Sequence, residues 1–408
     1  MSKNILLEAL KSDEKSSHLF DNNGTFVAFK TGFPSLDYAM GFNVNVFNDN
    51  NELLEIRPSR GVTAGSVVCI IGKSHVGKTT LASQMATNIV KQFDSGCVFH
   101  YDLEGGTSPT RISNITKLYP SQMKDKYIIR QSGGSIEEIK MSIAKIYLEK
   151  ISNPAKYTYD TGELDEYGKP LIATIPTCMV IDSVASMSTM INENTKDGIK
   201  KLEEITSQTE VMRLTAEVGR FFKESIPMLK AANIIIFIIN HIKTRPGMGV
   251  PQAPELRYLK QDETLPCGKA IQYYTNTLIR VTAIGAEKFE LSEDGFDGFG
   301  VNAQFIKNRS NVDGTIAHLI FDKVHGYDSL RSSYIYAKDM GMIGGNKNGY
   351  YFTDEKDKKF KLSTIHEDFA ENRELYKVLY NHIIPELEKT LSTVKPEEFN
   401  VIEEEFDY

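Results

Sequence analysis

Five apolar residues, Val67-Val68-Cys69-Ile70-Ile71, run directly into Gly72-Lys73-Ser74-His75-Val76-Gly77-Lys78-Thr79, and a helical pattern begins at Thr79. A run rich in β-branched residues without polar alternation reads as a strand covered on both faces. Followed at once by a glycine turn and a helix, it opens a β-α crossover. That restricts the chain to an α/β fold around a mostly parallel, twisted sheet flanked by helices. The octapeptide matches G-x-x-x-x-G-K-[ST] in the strand–turn–helix context that the motif requires. Its glycines let backbone N–H groups curl around an anion, and the helix N-terminus adds a partial positive charge. Gly72 to Thr79, with Thr80 behind them, are therefore expected to hold nucleotide phosphates, Lys78 reaching the β/γ-phosphates and the Thr79 hydroxyl ligating Mg²⁺. The bland alternative is a glycine-rich turn before a helix.

Three further runs, Cys97-Val98-Phe99-His100-Tyr101, Cys178-Met179-Val180-Ile181 and Ile234-Ile235-Ile236-Phe237-Ile238-Ile239, read as companion strands, with Leu81–Phe93 and Ile136–Ile151 as helices. Such sheets bind ligands at the carboxyl ends of their strands, so the polar residues after each run are the candidates for chemistry. Asp182 is placed to hold the Mg²⁺ water shell, its alternative being a helix N-cap. Glu104 is placed to orient and activate the water that attacks a γ-phosphate. His100, Asp102 and Glu104 alternate and would share one face of a strand, which also makes them a weak metal-site candidate. Asn240-His241 either senses a γ-phosphate or simply caps the sheet; the residues leave both open.

Composition sets the outer bounds. The 408 residues are 41% hydrophobic and 25% charged, ordinary for a soluble chain of a few domains. The net charge is −7, and the last twelve residues alone carry six acids and no base, leaving −1 for the rest. That excludes a globally basic nucleic-acid binder and permits local basic loops. Cys69, Cys97, Cys178 and Cys267 include no C-x-x-C pair and read as reduced thiols of a cytoplasmic protein. The first residues are too weakly apolar for a signal peptide, and Ile234–Ile239 falls far short of the ~18 residues of a membrane span.

The expected organisation is an arm (residues 1–30), a core (31–328), a small C-terminal α/β module (329–395) and an acidic tail (396–408). The arm offers a helix at Asn4–Leu10 and a strand at Thr25–Phe29; the module ends in a helix over Arg373–Thr390. Polar insertions fall near Asn43–Arg60 and Tyr157–Tyr167, the second reading as a hairpin tip. His241–Gly268 carries four of the fourteen prolines, which rules out one long helix. It places Lys243, Arg245, Arg257 and Lys260 on a segment long enough to be functional or disordered.

In this order the pieces resemble the bacterial RecA family, and within it the recombinases of tailed phages (UvsX-like). The resemblance spans about residues 25–350. It is carried by Lys30-Thr31-Gly32-Phe33-Pro34-Ser35-Leu36-Asp37-Tyr38-Ala39-Met40-Gly41, the glycine turn, the Asp102-Leu103-Glu104 segment, Val180-Ile181-Asp182-Ser183-Val184-Ala185, Asn240-His241-Ile242, Pro266-Cys267-Gly268-Lys269-Ala270 and Phe305-Ile306-Lys307-Asn308-Arg309. It implies a RecA-like ATPase core with ATP and Mg²⁺. Glu104 would be the catalytic carboxylate, with His241 as γ-phosphate sensor. Lys307 and Arg309 would act on the nucleotide of a neighbouring subunit. Arg111 stands where the family stacks a tyrosine on adenine. Lys243, Arg245, Arg257, Lys260, Gly268 and Lys269 would form one DNA loop. Arg213, Arg220 and Lys223 would contact phosphates behind another, near Ser188–Met212. Each of these cations has an ordinary solvated charge as its alternative.

The resemblance further implies a helical homo-oligomeric filament on single-stranded DNA that pairs with double-stranded DNA and exchanges strands. Single-strand-binding and mediator proteins would be its accessory partners, and the cytoplasm of a bacterial or phage-infected cell its location. Phe26 and Phe29 would dock on the next subunit, or on their own domain. The tail would compete with DNA phosphate or merely solubilise the chain. A ring-forming DNA helicase on the same core is the alternative. It ordinarily places a sizeable domain before the glycine turn, which here comes early.

Overall fold

The computed structural model describes residues 27–131, 134–188, 208–244, 257–285 and 296–391. The Asn4–Leu10 helix, Phe26, Arg245, most of Ser188–Met212 and the acidic tail lie outside them. No described helix is long and apolar enough to cross a membrane.

A nine-stranded sheet organises the chain. Its order is Gly326–Asp328, Ile316–Asp322, Gly298–Asn308, Thr277–Ile284, Val67–Gly72, Ile234–His241, Thr177–Asp182, Cys97–Asp102 and Tyr127–Arg130. The six strands from Thr277–Ile284 to Tyr127–Arg130 are mutually parallel. The other three continue the sheet antiparallel. This is the architecture expected from the apolar runs, and it is compatible with a P-loop-type core.

The unbroken apolar runs are explained by two cores, one on each face. Val68, Ile70, Cys178, Val180, Ile235, Phe237 and Ile239 face one cluster, where the helix Lys78–Val90 contributes Leu81, Ala82, Met85 and Ile89. Val67, Cys69, Ile71, Met179, Ile181, Ile234, Ile236 and Ile238 face the other. That side is covered by Ile136–Ser152, Gln208–Ala231 and the short helix Gly268–Tyr274. A strand with both faces dry admits a polar side chain before its end only where that side chain finds a buried partner, as His100 does in the Tyr127 hydroxyl. Ile136–Ser152 opens on a capping box: Ser135 Oγ accepts from Glu138 N at 3.2 Å and Glu138 accepts from Ser135 N at 3.3 Å.

Three expectations are made specific. The Asn43–Arg60 insertion is a β-hairpin, Phe42–Phe47 paired with Leu53–Ser59. The strands Thr158–Leu164 and Pro170–Thr174 make a second hairpin, so most of the supposed tip is strand. The two are joined by Arg57 and Glu163 at 2.8 Å. Phe29 does not reach outward. It is 3% exposed within its own domain, edge-on to Phe93 at 6.1 Å, on the strand pair Ala28–Phe29 and Val62–Thr63. The helices Ser329–Asp339 and Glu374–Leu391 and three short strands form the C-terminal part. The stripe Leu375, Leu379, Ile383, Leu387 and Leu391 joins the cluster under the first sheet face.

Candidate functional site

Sheet register brings the candidate residues to one edge. Gly72 pairs with His241, and Asp182 lies level with both Asp102 and Ile239. Four strands that end abruptly in the sequence thus end side by side, and the 72–79 turn lies over their carboxyl ends.

The turn's conformation uses its glycines. Gly77 has φ 80, and a Cβ on it would lie 2.6 Å from the Phe321 ring. A Cβ on Gly72 would lie 2.6 Å from the Val281 carbonyl. His75 also sits at positive φ, 64. Gly77→Ala is therefore expected to destabilise the chain by about 1–3 kcal/mol through left-handed strain and contact with Phe321, read as a lowered melting temperature.

Behind the turn, Lys78 Nζ donates to the Lys73 carbonyl at 2.7 Å, and the Thr79 hydroxyl donates to Asp182 Oδ2 at 2.6 Å. Burial lowers the Lys78 ammonium pKa, while Asp182 and Glu104 support its charge. Burial pushes Asp182 up to about 6, helped by the charges of Glu104 and Asp102 and opposed by the Thr79 hydrogen bond. The Asp182–Ser183 peptide is cis. Thr80 is buried and faces Gly326 rather than the turn.

Glu104 lies just beyond its strand, and two groups hold the same oxygen. Ser183 Oγ donates to Glu104 Oε1 at 2.7 Å, and His241 Nε2 stands 3.0 Å from that atom. A carboxylate only accepts, so the imidazole carries its proton on Nε2. Burial acts to raise the Glu104 pKa. The hydrogen bonds from Ser183 and His241 and the nearby charges outweigh it, and the group is held below the usual carboxylate range. Asn240 donates to the Pro266 carbonyl at 2.8 Å, tying this strand end to the far root of the 243–264 segment.

His100, Asp102 and Glu104 do not converge. His100 is fully buried, 3.0 Å from the Tyr127 hydroxyl, and burial lowers its pKa to about 4. Asp102 accepts from Thr107 N and Gln131 Nε2. Among the described residues no three His, Cys, Asp or Glu side chains gather as a metal cage. The weak metal-site candidate is thereby set aside, because a buried neutral imidazole bonded to a tyrosine serves the core.

Lys307 and Arg309 lie elsewhere. Leu278 pairs with both Cys69 and Lys307, so Lys307 is level with the middle of the Val67–Gly72 strand and two strands away from it. Arg309, two residues further on, lies beyond the amino ends of the parallel strands. Lys307 Nζ donates to the Gln272 carbonyl and to Thr275 O at 2.7 Å; Arg309 Nη2 donates to Tyr273 O at 2.8 Å. Both cations cap the carboxyl end of helix Gly268–Tyr274, a favourable position for positive charge. Burial and the Arg309 charge bring Lys307 down to about 8.

Arg111 Nη1 donates to the Lys323 and Val324 carbonyls at 2.9 and 2.6 Å, which fixes its guanidinium against that turn. Arg213, Arg220 and Lys223 are exposed on Gln208–Ala231, and Arg220 is 3.5 Å from Glu217. Lys243, Arg257, Lys260 and Lys269 are exposed; Gly268 is buried at the start of its helix. Cys267, just before it, takes φ 52, a left-handed conformation that favours glycine.

Sequence reasoning missed Ser183 as a partner of Glu104, although it follows Asp182 directly. It also missed the buried pair Arg280–Glu263. The chain matches no protein-family model and no curated protein.

Proposed function

We propose that this chain is a RecA-type, DNA-dependent ATPase that polymerises on single-stranded DNA, pairs it with a homologous duplex and exchanges strands. The observation that carries the reading is the shared hold on Glu104 Oε1 by Ser183 and His241. It joins a carboxylate beside the glycine turn to the strand end that leads into the 243–264 segment, which carries Lys243, Arg245, Arg257 and Lys260 among three acids.

The residues present fit ATP and Mg²⁺. Gly77 takes a conformation that a side chain would strain, Gly72 leaves no room for one, and Thr79 with Asp182 offers the hydroxyl and carboxylate oxygens that suit a hard cation. Bound Mg²⁺ would neutralise charge on the phosphate oxygens. Lys78 leaves the Lys73 carbonyl for the β/γ-phosphates. Glu104, kept ionised by its partners, orients the attacking water and accepts its proton. His241 registers whether a γ-phosphate is present, because its Nε2 proton can serve either Glu104 or a phosphate oxygen. Lys307 and Arg309 act on the nucleotide of a neighbouring subunit. The protein holds mostly phosphates, so sequence is read by base pairing.

The test is electron microscopy of the protein with single-stranded DNA, Mg²⁺ and a slowly hydrolysed ATP analogue. Open helical filaments are expected; closed rings would favour a helicase-type motor. In solution, Glu104→Gln is expected to reduce DNA-stimulated turnover by about 10²–10⁴ with nucleotide binding retained. Full turnover by that variant removes the catalytic assignment.

A further inference from the structure

Arg280, on Thr277–Ile284, faces two partners. Nη2 donates to Glu263 Oε1 at 2.8 Å, and Nη1 donates to the Tyr258 carbonyl at 3.0 Å. The ion pair is enclosed, with side-chain exposures of 14% and 5%. Glu263 uses its other oxygen to accept from Lys260 N at 2.9 Å, and its backbone pairs with Thr244 in the ladder that closes the 243–264 segment. The planar guanidinium presents separate Nη atoms to the two partners in a fixed fork, where a lysine would bring a single nitrogen on a flexible stem.

Tyr258 extends the connection. Its backbone is held at φ 70, uncommon for a bulky residue. Its ring lies on Gly314, where an added Cβ would meet the Tyr258 hydroxyl at 2.4 Å. Gly314 belongs to the turn after Lys307 and Arg309, and this turn closes on Phe305. Gly314 N donates to Phe305 O at 2.6 Å, and Phe305 N donates to Thr315 O at 2.8 Å. A continuous set of contacts thus runs from the root of the 243–264 segment to the turn that begins at Arg309 and follows the strand bearing Lys307.

We propose that Arg280, Glu263 and Tyr258 are positioning residues that make the 257–264 root and the 309–315 turn one mechanical unit. An anionic nucleic-acid strand held by Lys243, Arg257 and Lys260 then resets how Lys307 and Arg309 are presented. The assignment of strand and cations rests on the recombinase reading above; the mechanical unit does not.

The test compares the full-length wild type with Tyr258→Ala and Arg280→Lys, with Glu263→Gln as the conservative partner change. Binding of a labelled thymidine oligonucleotide is expected within about threefold of wild type, and turnover without DNA within about twofold, while stimulation by DNA falls at least about tenfold. Hydrogen exchange of the Phe305 and Gly314 amides is expected to quicken at least about tenfold in Tyr258→Ala. Glu263→Gln, which keeps the hydrogen bond, is expected to retain more stimulation than Arg280→Lys. Retained stimulation in both Tyr258→Ala and Arg280→Lys, or stimulation lost only in step with oligonucleotide affinity, overturns the coupling. Unchanged exchange at both amides overturns the mechanical unit, whatever the protein binds. A wild type that neither binds DNA nor hydrolyses ATP overturns the recombinase reading and the coupling with it, and leaves the exchange result to decide the mechanical unit.

Discussion

Lys307→Ala/Arg309→Ala subunits are expected to lose about 10³–10⁵ in DNA-stimulated ATP turnover, as for loss of cations that stabilise the transferred phosphoryl group. Mixed with Glu104→Gln subunits, they are expected to recover a substantial part of it. Lys307 is two strands away from the Val67–Gly72 strand, and both side chains are turned onto the helix Gly268–Tyr274. A catalytic role therefore requires a neighbouring subunit. In a head-to-tail assembly each interface takes its carboxylate from one subunit and its cations from the next. Random 1:1 mixing then leaves roughly one interface in four intact. Neither parent alone has an intact interface, so recovered turnover is a signature that a structural defect cannot imitate. The alternative is that both cations only cap a helix. That role is worth about 0.3–1 kcal/mol each, and it predicts a slightly lower melting temperature, near-normal turnover and nothing to complement. Loss of activity without recovery on mixing would sink the trans assignment.

The sheet was legible because dryness leaves a mark. A strand with both faces buried admits few polar residues, His100 bonded to Tyr127 being the exception among these runs, so its end nearly coincides with the end of the apolar run, and Asp182, His241 and Gly72 could be placed at one edge. The hairpin Phe42–Phe47 with Leu53–Ser59 was less visible. Its alternation of Phe42, Val44 and Val46 with Asn43 and Asn45 is a half-buried strand pattern, diluted by a polar turn and a weakly apolar second strand. Phe29 was left between two placements because a short apolar segment fits its own core as well as a neighbour's. The Ser183–Glu104 bond and the Arg280–Glu263 pair carried no local signal. Their partners are 79 and 17 residues apart, and only the tertiary fold brings them together. Local pattern therefore marked the elements and their ends, and tertiary register decided which ends act on which.

Asp182→Asn is expected to stabilise the protein at pH 8 while reducing Mg²⁺-dependent turnover by roughly 10²-fold or more, the scale for loss of one preorganised electrostatic group. Burial pushes the Asp182 carboxyl from 3.8 up to about 6, so folding favours its protonated form. The stability this group contributes is complete below its unfolded pKa and is lost as pH rises through about 6. Above that, the folded chain carries an enclosed carboxylate whose ionisation opposes folding by on the order of 2–3 kcal/mol. Asparagine keeps an oxygen to accept the Thr79 hydroxyl and removes the charge. Its melting temperature should therefore exceed wild type at pH 8, with the difference shrinking toward zero near pH 4. A variant that melts lower than wild type at pH 8 would show that the carboxylate is not under strain there. The same argument gives the acid limb of activity: a carboxyl half-protonated near pH 6 is a poorer partner for a hard cation. Wild-type turnover should fall as pH drops through about 6, and added Mg²⁺ should restore part of it. On the proposed reading, a cation beside Asp182 would offset the cost that burial places on its charge, so the strain at this strand end and the demand for Mg²⁺ would be one property.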